Sequence, residues 1–91
     1  MSVTVTVPTQ LRTITGGQSE VTTDGGTVGE VIRTIDDRFP GFAGKVLDEG
    51  GSIRRFVNVY LNSEDVRFLN GIESEVPQNA SISIIPAVAG G

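Results

Sequence analysis

Apolar and polar residues alternate strictly over Val3-Thr4-Val5-Thr6-Val7, which puts three β-branched side chains on one face and two threonines on the other. This is the pattern of a half-buried strand, and Pro8 closes it. Leu11-Arg12-Thr13-Ile14-Thr15 leads into Gly16-Gly17, and Ser19-Glu20-Val21-Thr22-Thr23 reads as a second strand, returning antiparallel across a loop longer than a tight hairpin. Asp24-Gly25-Gly26 is turn material. The period then changes. Val28, Val31, Ile32, Ile35 and Phe39 recur at helical spacing, with Glu30, Arg33, Asp37 and Arg38 left to the opposite face. Thr27-Val28-Gly29-Glu30 matches a capping box at the start of that helix, and Pro40-Gly41 stops it. So amphipathic a helix in so small a chain covers a sheet.

In the second half, Phe42 and Val46 lie four apart and add one helical turn before Asp48-Glu49-Gly50-Gly51-Ser52 breaks the chain. Ile53 to Asn62 reads as one strand, with Val57, Val59 and Leu61 on one face and Phe56, Asn58 and Tyr60 on the other. Asn62-Ser63-Glu64-Asp65 turns the chain, Val66-Arg67-Phe68 fits a short edge strand, and Asn70-Gly71 punctuates again. Ser81-Ile82-Ser83-Ile84-Ile85 alternates into a last strand. The order β-β-α-β-β-β is that of an α+β, β-grasp (ubiquitin-like) fold: a mixed sheet of about five strands with one main helix packed on one face by a right-handed crossover. We expect a single domain over 1–86 and a flexible tail over 87–91. The sheet's other face is open, and Thr4, Thr6, Phe56, Asn58, Tyr60, Ser83 and Ile85 would lie on it. Such a partly apolar patch marks a partner surface, with Phe56, Asn58, Tyr60 and Ile85 as its main candidates.

Composition narrows the chemistry. A chain of 91 residues holds one compact core. Its net charge of −4, with Lys45 the one lysine, argues against nucleic acid as a partner. Histidine and cysteine are absent, which removes imidazole bases, thiol nucleophiles, disulfides and the usual zinc sites. No metal site and no catalytic residue of its own is expected. No apolar run reaches membrane-spanning length, and Met1-Ser2-Val3-Thr4 lacks the regions of a signal peptide, so the expected location is the cytoplasm, away from membranes.

The remaining chemistry sits at the end, Ile85-Pro86-Ala87-Val88-Ala89-Gly90-Gly91. Pro86 lacks a backbone donor and discourages further strand pairing, while Gly90 and Gly91 carry no Cβ. Five residues beyond Pro86 reach at most roughly 17 Å when extended. That is enough to carry the Gly91 carboxylate into a partner's active site while the domain stays outside.

Leu11-Arg12, Thr15-Gly16-Gly17-Gln18, Arg55-Phe56-Val57-Asn58-Val59-Tyr60-Leu61-Asn62, Glu64-Asp65-Val66-Arg67-Phe68 and Pro86-Ala87-Val88-Ala89-Gly90-Gly91 together resemble the ubiquitin-like sulfur carrier proteins. That family includes the thiamine carrier and the small subunit of molybdopterin synthase. The Arg-Phe-Val-Asn and Glu-Asp-Val-Arg-Phe blocks are most similar to the CysO-type carriers of cysteine biosynthesis. The resemblance covers nearly the whole chain. It implies that an E1-like enzyme spends ATP to adenylate the Gly91 carboxylate, that sulfur transfer yields a thiocarboxylate, and that a PLP-dependent synthase accepts the sulfur. It further implies that a zinc metallopeptidase releases the product. ATP, PLP and zinc would then belong to the partners, with no cofactor stably bound here. Gly90 and Gly91 would pass a narrow catalytic channel, and Ala87, Val88 and Ala89 would contact the partner.

Other candidates are weaker. Glu64-Asp65 is an acidic pair without a base-orienting group, which reads as a solvated turn. Gly16-Gly17 and Gly25-Gly26 do not continue into a phosphate-loop pattern. Three readings share the fold and stay open: a sulfur carrier, a molybdopterin synthase small subunit, and a ubiquitin-like modifier conjugated through Gly91.

Overall fold

The structure is a computed structural model and describes residues 2–86. The first strand, β1 (Ser2–Thr6), buries Val3 and Val5 and turns Thr4 and Thr6 outward, as the alternation requires. β2 (Glu20–Asp24) returns antiparallel to it with Val5 opposite Val21. A two-residue strand, β3 (Gly26–Thr27), leads into α1 (Val28–Arg38) and the one-turn α2 (Phe42–Val46). β4 (Val57–Leu61) and β5 (Glu64–Asp65) form a hairpin, and β6 (Glu75–Val76) and β7 (Ser81–Pro86) follow as the last elements of the described residues. The main sheet has five strands in the order β2-β1-β7-β4-β5, and β3 pairs with β6 in a separate two-stranded ribbon. β1 and β7 run parallel while the other neighbours are antiparallel, which makes this the mixed sheet of a β-grasp fold.

Local rules account for the helix. The amide of Glu30 donates to Thr27 Oγ1 at 3.2 Å and the amide of Thr27 donates to Glu30 Oε1 at 2.9 Å, so the capping box is complete. Gly26 is required just before it. Its φ is 142°, and a Cβ there would collide with Glu30 Oε1, the oxygen that closes the box. Val28, Val31, Ile32 and Ile35 point into the core, where Val3, Val5, Val59, Ile82 and Ile84 of the sheet meet them. Each such side chain removed from water contributes about 1.5–3 kcal/mol. At the far end Asp36 Oδ1 accepts from the amides of Gly41 and Ala43, and this fastens α2 to α1 and drives Phe42 and Val46 fully inside.

Three sequence expectations need correction. The strand expected from Ile53 begins only at Val57: Ile53 makes a single bridge to Leu47, and Arg54 to Val57 form a turn closed by the Val57 amide donating to the Arg54 carbonyl at 3.0 Å. Phe56 therefore lies in that turn and not in the strand. The edge strand is Glu64–Asp65, not Val66-Arg67-Phe68, which form a 3-10 helix. The cause is a tighter turn than the sequence implied. Asn62 (φ 49°) and Ser63 (φ 76°) both take left-handed conformations, so two residues reverse the chain and Glu64 already pairs with Leu61. Asp65 Oδ1 then caps the amide of Arg67 at 2.8 Å and winds the following residues up. The β3–β6 ribbon was not anticipated, because strands of two residues leave no periodicity to read. The expected tail over 87–91 lies outside the described residues.

Thr27→Ala should cost about 1 kcal/mol through loss of the cap. Gly26→Ala should cost more, since it combines an unfavourable backbone with displacement of the Glu30 carboxylate. Urea unfolding with an unchanged slope and a lowered midpoint checks both.

Candidate functional site

The face of the sheet opposite α1 is built by register. Thr6 of β1 lies beside Ser83 of β7, Ser83 beside Tyr60 of β4, and Tyr60 beside Asp65 of β5. One step along the strands, Asn58 is paired with Ile85, and then Val57 with Pro86. Side chains alternate across a strand, so the burial of Val57, Val59, Leu61, Ile82 and Ile84 against the helix turns Asn58, Tyr60, Ser83 and Ile85 to the open face. Asn58, Tyr60 and Ser83 are half-buried there, and Ile85 is 48% exposed. The sequence-derived patch is thus assembled at Asn58, Tyr60 and Ile85.

Phe56 reaches the site by another route. It sits in the turn immediately before β4, 55% exposed, with the Arg55 guanidinium 5.8 Å from the centre of its ring. The turn borders an open cleft of about 430 Å³ lined by Asp48, Arg54, Arg55, Phe56 and Val57. Because Val57 is paired with Pro86, this cleft adjoins the end of β7, to which residues 87–91 are attached. Ala87, Val88, Ala89, Gly90 and Gly91 themselves lie outside the described residues.

One residue of the site was missed in the sequence. Arg67 Nη1 donates to Asn58 Oδ1 at 2.8 Å, and Nη2 donates to the carbonyls of Arg54 at 2.7 Å and Val57 at 2.6 Å, with the Arg55 carbonyl at 3.5 Å. An arginine between two apolar neighbours in Val66-Arg67-Phe68 carries no sequence signal for this, since its acceptors are one side-chain amide nine residues away and backbone carbonyls ten or more residues away. Among the described residues, Phe68, 83% exposed, and Leu69, 40% exposed, are the other large apolar side chains left in solvent.

The weaker candidates resolve as structure. Asp65 caps a turn, and Gly16 and Gly17 take left-handed conformations within a loop. Among the described residues no group of three acidic side chains is placed to hold a metal ion, and no helix is long and apolar enough to cross a membrane.

Comparison with known proteins agrees with this geometry. The sequence model of the ThiS family matches residues 5–91. The sulfur carrier protein CysO of Mycobacterium tuberculosis (strain H37Rv) is 44% identical over 93 residues, covering 100% of both chains. Small archaeal modifier protein 3 of Haloferax volcanii is 34% identical over 68 residues, 75% of this chain and 73% of that protein. Among solved structures, a chain of the Amycolatopsis orientalis BexX/CysO complex superposes with a TM-score of 0.92 at 47% identity, covering 98% of this chain and 99% of its own.

Phe56→Glu and Ile85→Glu should each change stability by about 1 kcal/mol or less, because both side chains are half in solvent already. Thermal unfolding followed by circular dichroism reads this, and collapse of the fold in either variant would mean that the residue serves the core.

Proposed function

This chain belongs to the ThiS family, and from that premise we propose that it is a sulfur carrier protein of the cysteine-biosynthesis type, a protein co-substrate with no catalysis of its own. The observation that carries the proposal is the placement of the docking surface. Phe56, Asn58 and Ile85 gather where β4 begins and β7 ends, and the five residues that finish on Gly90-Gly91 are joined to the chain at that point. A partner holding this face receives the tail within reach of its own active site.

The chemistry follows from the poor electrophilicity of a carboxylate. The Gly91 carboxylate attacks the α-phosphorus of ATP in an E1-like adenylating enzyme, pyrophosphate leaves, and an acyl-adenylate forms. A sulfur nucleophile delivered by that enzyme then adds to the carbonyl and expels AMP, which leaves a C-terminal thiocarboxylate. Gly90 and Gly91 admit the attack because no Cβ shields the carbonyl, and Ala87, Val88 and Ala89 line the partner's channel. The thiocarboxylate sulfur is passed on as a nucleophile to a sulfur-accepting synthase, PLP-dependent in the cysteine route. That attack forms a thioester, the acyl group then shifts from sulfur to the amine of the new cysteine, and a zinc metallopeptidase hydrolyses the resulting amide and restores the carrier. ATP, PLP and zinc act in the partners. The absence of histidine and cysteine from the sequence supports a substrate role, and the relatives' names give no reason to look for an activity in this chain.

A second reading, conjugation through Gly91 to lysines of other proteins, has the archaeal modifier relative on its side. Intact-protein mass spectrometry of the chain isolated from its own host separates the two. Exchange of one carboxylate oxygen for sulfur, or a cysteine adduct, supports the carrier. Amide linkage of Gly91 to lysine puts the modifier first.

Deleting Gly91 should leave the unfolding temperature unchanged and abolish ATP-dependent activation, because a terminal residue buries little. Pyrophosphate release in a reaction with the adenylating partner measures this. Activation retained by the shortened chain would end the mechanism.

A further inference from the structure

Arg54, Arg55 and Phe56, the part of the Arg54–Val57 turn that precedes β4, lie between the Leu47–Ile53 bridge and Val57, outside any ladder. Arg54 ties the near end of the turn back through its amide to the Val46 carbonyl at 2.9 Å and through Nε to the Gly44 carbonyl at 2.9 Å. The far side is different in kind. There the carbonyls of Arg54, Arg55 and Val57 all turn toward one guanidinium, that of Arg67. Three carbonyl dipoles with their negative ends converging repel one another unless a cation sits between them, so this arrangement depends on the charge as well as on the donors.

Arg67 is itself held in place before it binds. Val66 beside it is fully buried, and Asp65 Oδ1 accepts the Arg67 amide, which fixes the 3-10 helix from which the side chain departs. Its planar fork then divides the work. Nη2 takes the turn, and Nη1 takes Asn58 Oδ1, the residue paired with Ile85. One side chain therefore sets the position of Phe56 relative to the Asn58–Ile85 pair, the two halves of the docking surface.

We propose that Arg67 is the positioning residue of this surface: it fixes the Arg54–Val57 turn in the form that the adenylating partner recognises, and it acts on recognition through Phe56. The inference rests on the docking surface proposed above. Lysine cannot replace arginine here, since a single ammonium on a flexible stem lacks the fork that spans a side-chain amide and two carbonyls.

The test is steady-state adenylation of the purified full-length chain by its adenylating partner, comparing wild type, Arg67→Lys, Phe56→Ala and the double variant. Arg67→Lys should raise the KM for the carrier about tenfold, the scale of one charge-assisted hydrogen bond, and leave kcat unchanged because Gly91 is untouched. In the Phe56→Ala background the same substitution should change KM by less than about twofold, since a residue acting through Phe56 has nothing left to position. An unchanged KM in Arg67→Lys beside a raised one in Phe56→Ala overturns the role of Arg67 and spares the docking surface. No effect of Phe56→Ala overturns the surface and this inference with it. Hydrogen exchange keeps the idea testable if the variant is less stable. Faster exchange confined to the hydrogen-bonded Arg54 and Val57 amides is expected, whereas equal acceleration of the Ile32 and Val59 amides would show a general loss of stability and reject the positioning role.

Discussion

Everything in this molecule depends on one face of the sheet being sealed by α1. A chain of 91 residues has material for a single core, and Val28, Val31, Ile32 and Ile35 supply one half of it while β1, β4 and β7 supply the other. The capping box that starts the helix and the Asp36 bonds that end it are the local terms that aim this stripe at the sheet. With the apolar material committed there, the second face is left to threonine, serine, asparagine and a few large side chains. The functional surface is in this sense what remains after the core has been built.

That surface is organised around an antiparallel pair, β4 and β7. Their register brings Asn58 to Ile85 and Val57 to Pro86, so exposed Ile85 and the turn that carries exposed Phe56 both lie where β7 ends. Parallel pairing of β7 with β1 places the strand inside the sheet, with neighbours on both sides. A tail attached to a central strand has a rigid base, which would suit the proposed delivery of its end to partner enzymes. The rim is less regular. It rests on turns, and the turns are held by the side chains of Arg54, Asp65 and Arg67.

On the proposed function, this division explains why a sulfur carrier needs a defined structure. The transferred atom would be carried at the chain end, and the enzymes that load and unload it would recognise the body. On that reading specificity resides in the geometry of the surface that carries Phe56 and Ile85.

Much of the architecture was legible in the sequence, because strict alternation in Val3 to Val7 and Ser81 to Ile85 and the helical spacing from Val28 to Phe39 are local signals of which face is apolar. The capping box at Thr27 and Glu30 was legible for the same reason, as were the outward positions of Asn58, Tyr60 and Ile85. The tail's Gly-Gly and the blocks around Phe56 and Arg67 pointed to the family. Tertiary structure alone decided the rest. Whether Phe56 belongs to a strand or a turn depends on the Val57 amide reaching back to the Arg54 carbonyl, and whether Glu64 pairs depends on two left-handed residues, Asn62 and Ser63. The role of Arg67 depends on carbonyls of Arg54 and Val57 that come to it only when the chain has folded. Periodicity along a chain reports which side chains avoid water; it does not report which backbone atoms, distant in sequence, will be left needing a donor.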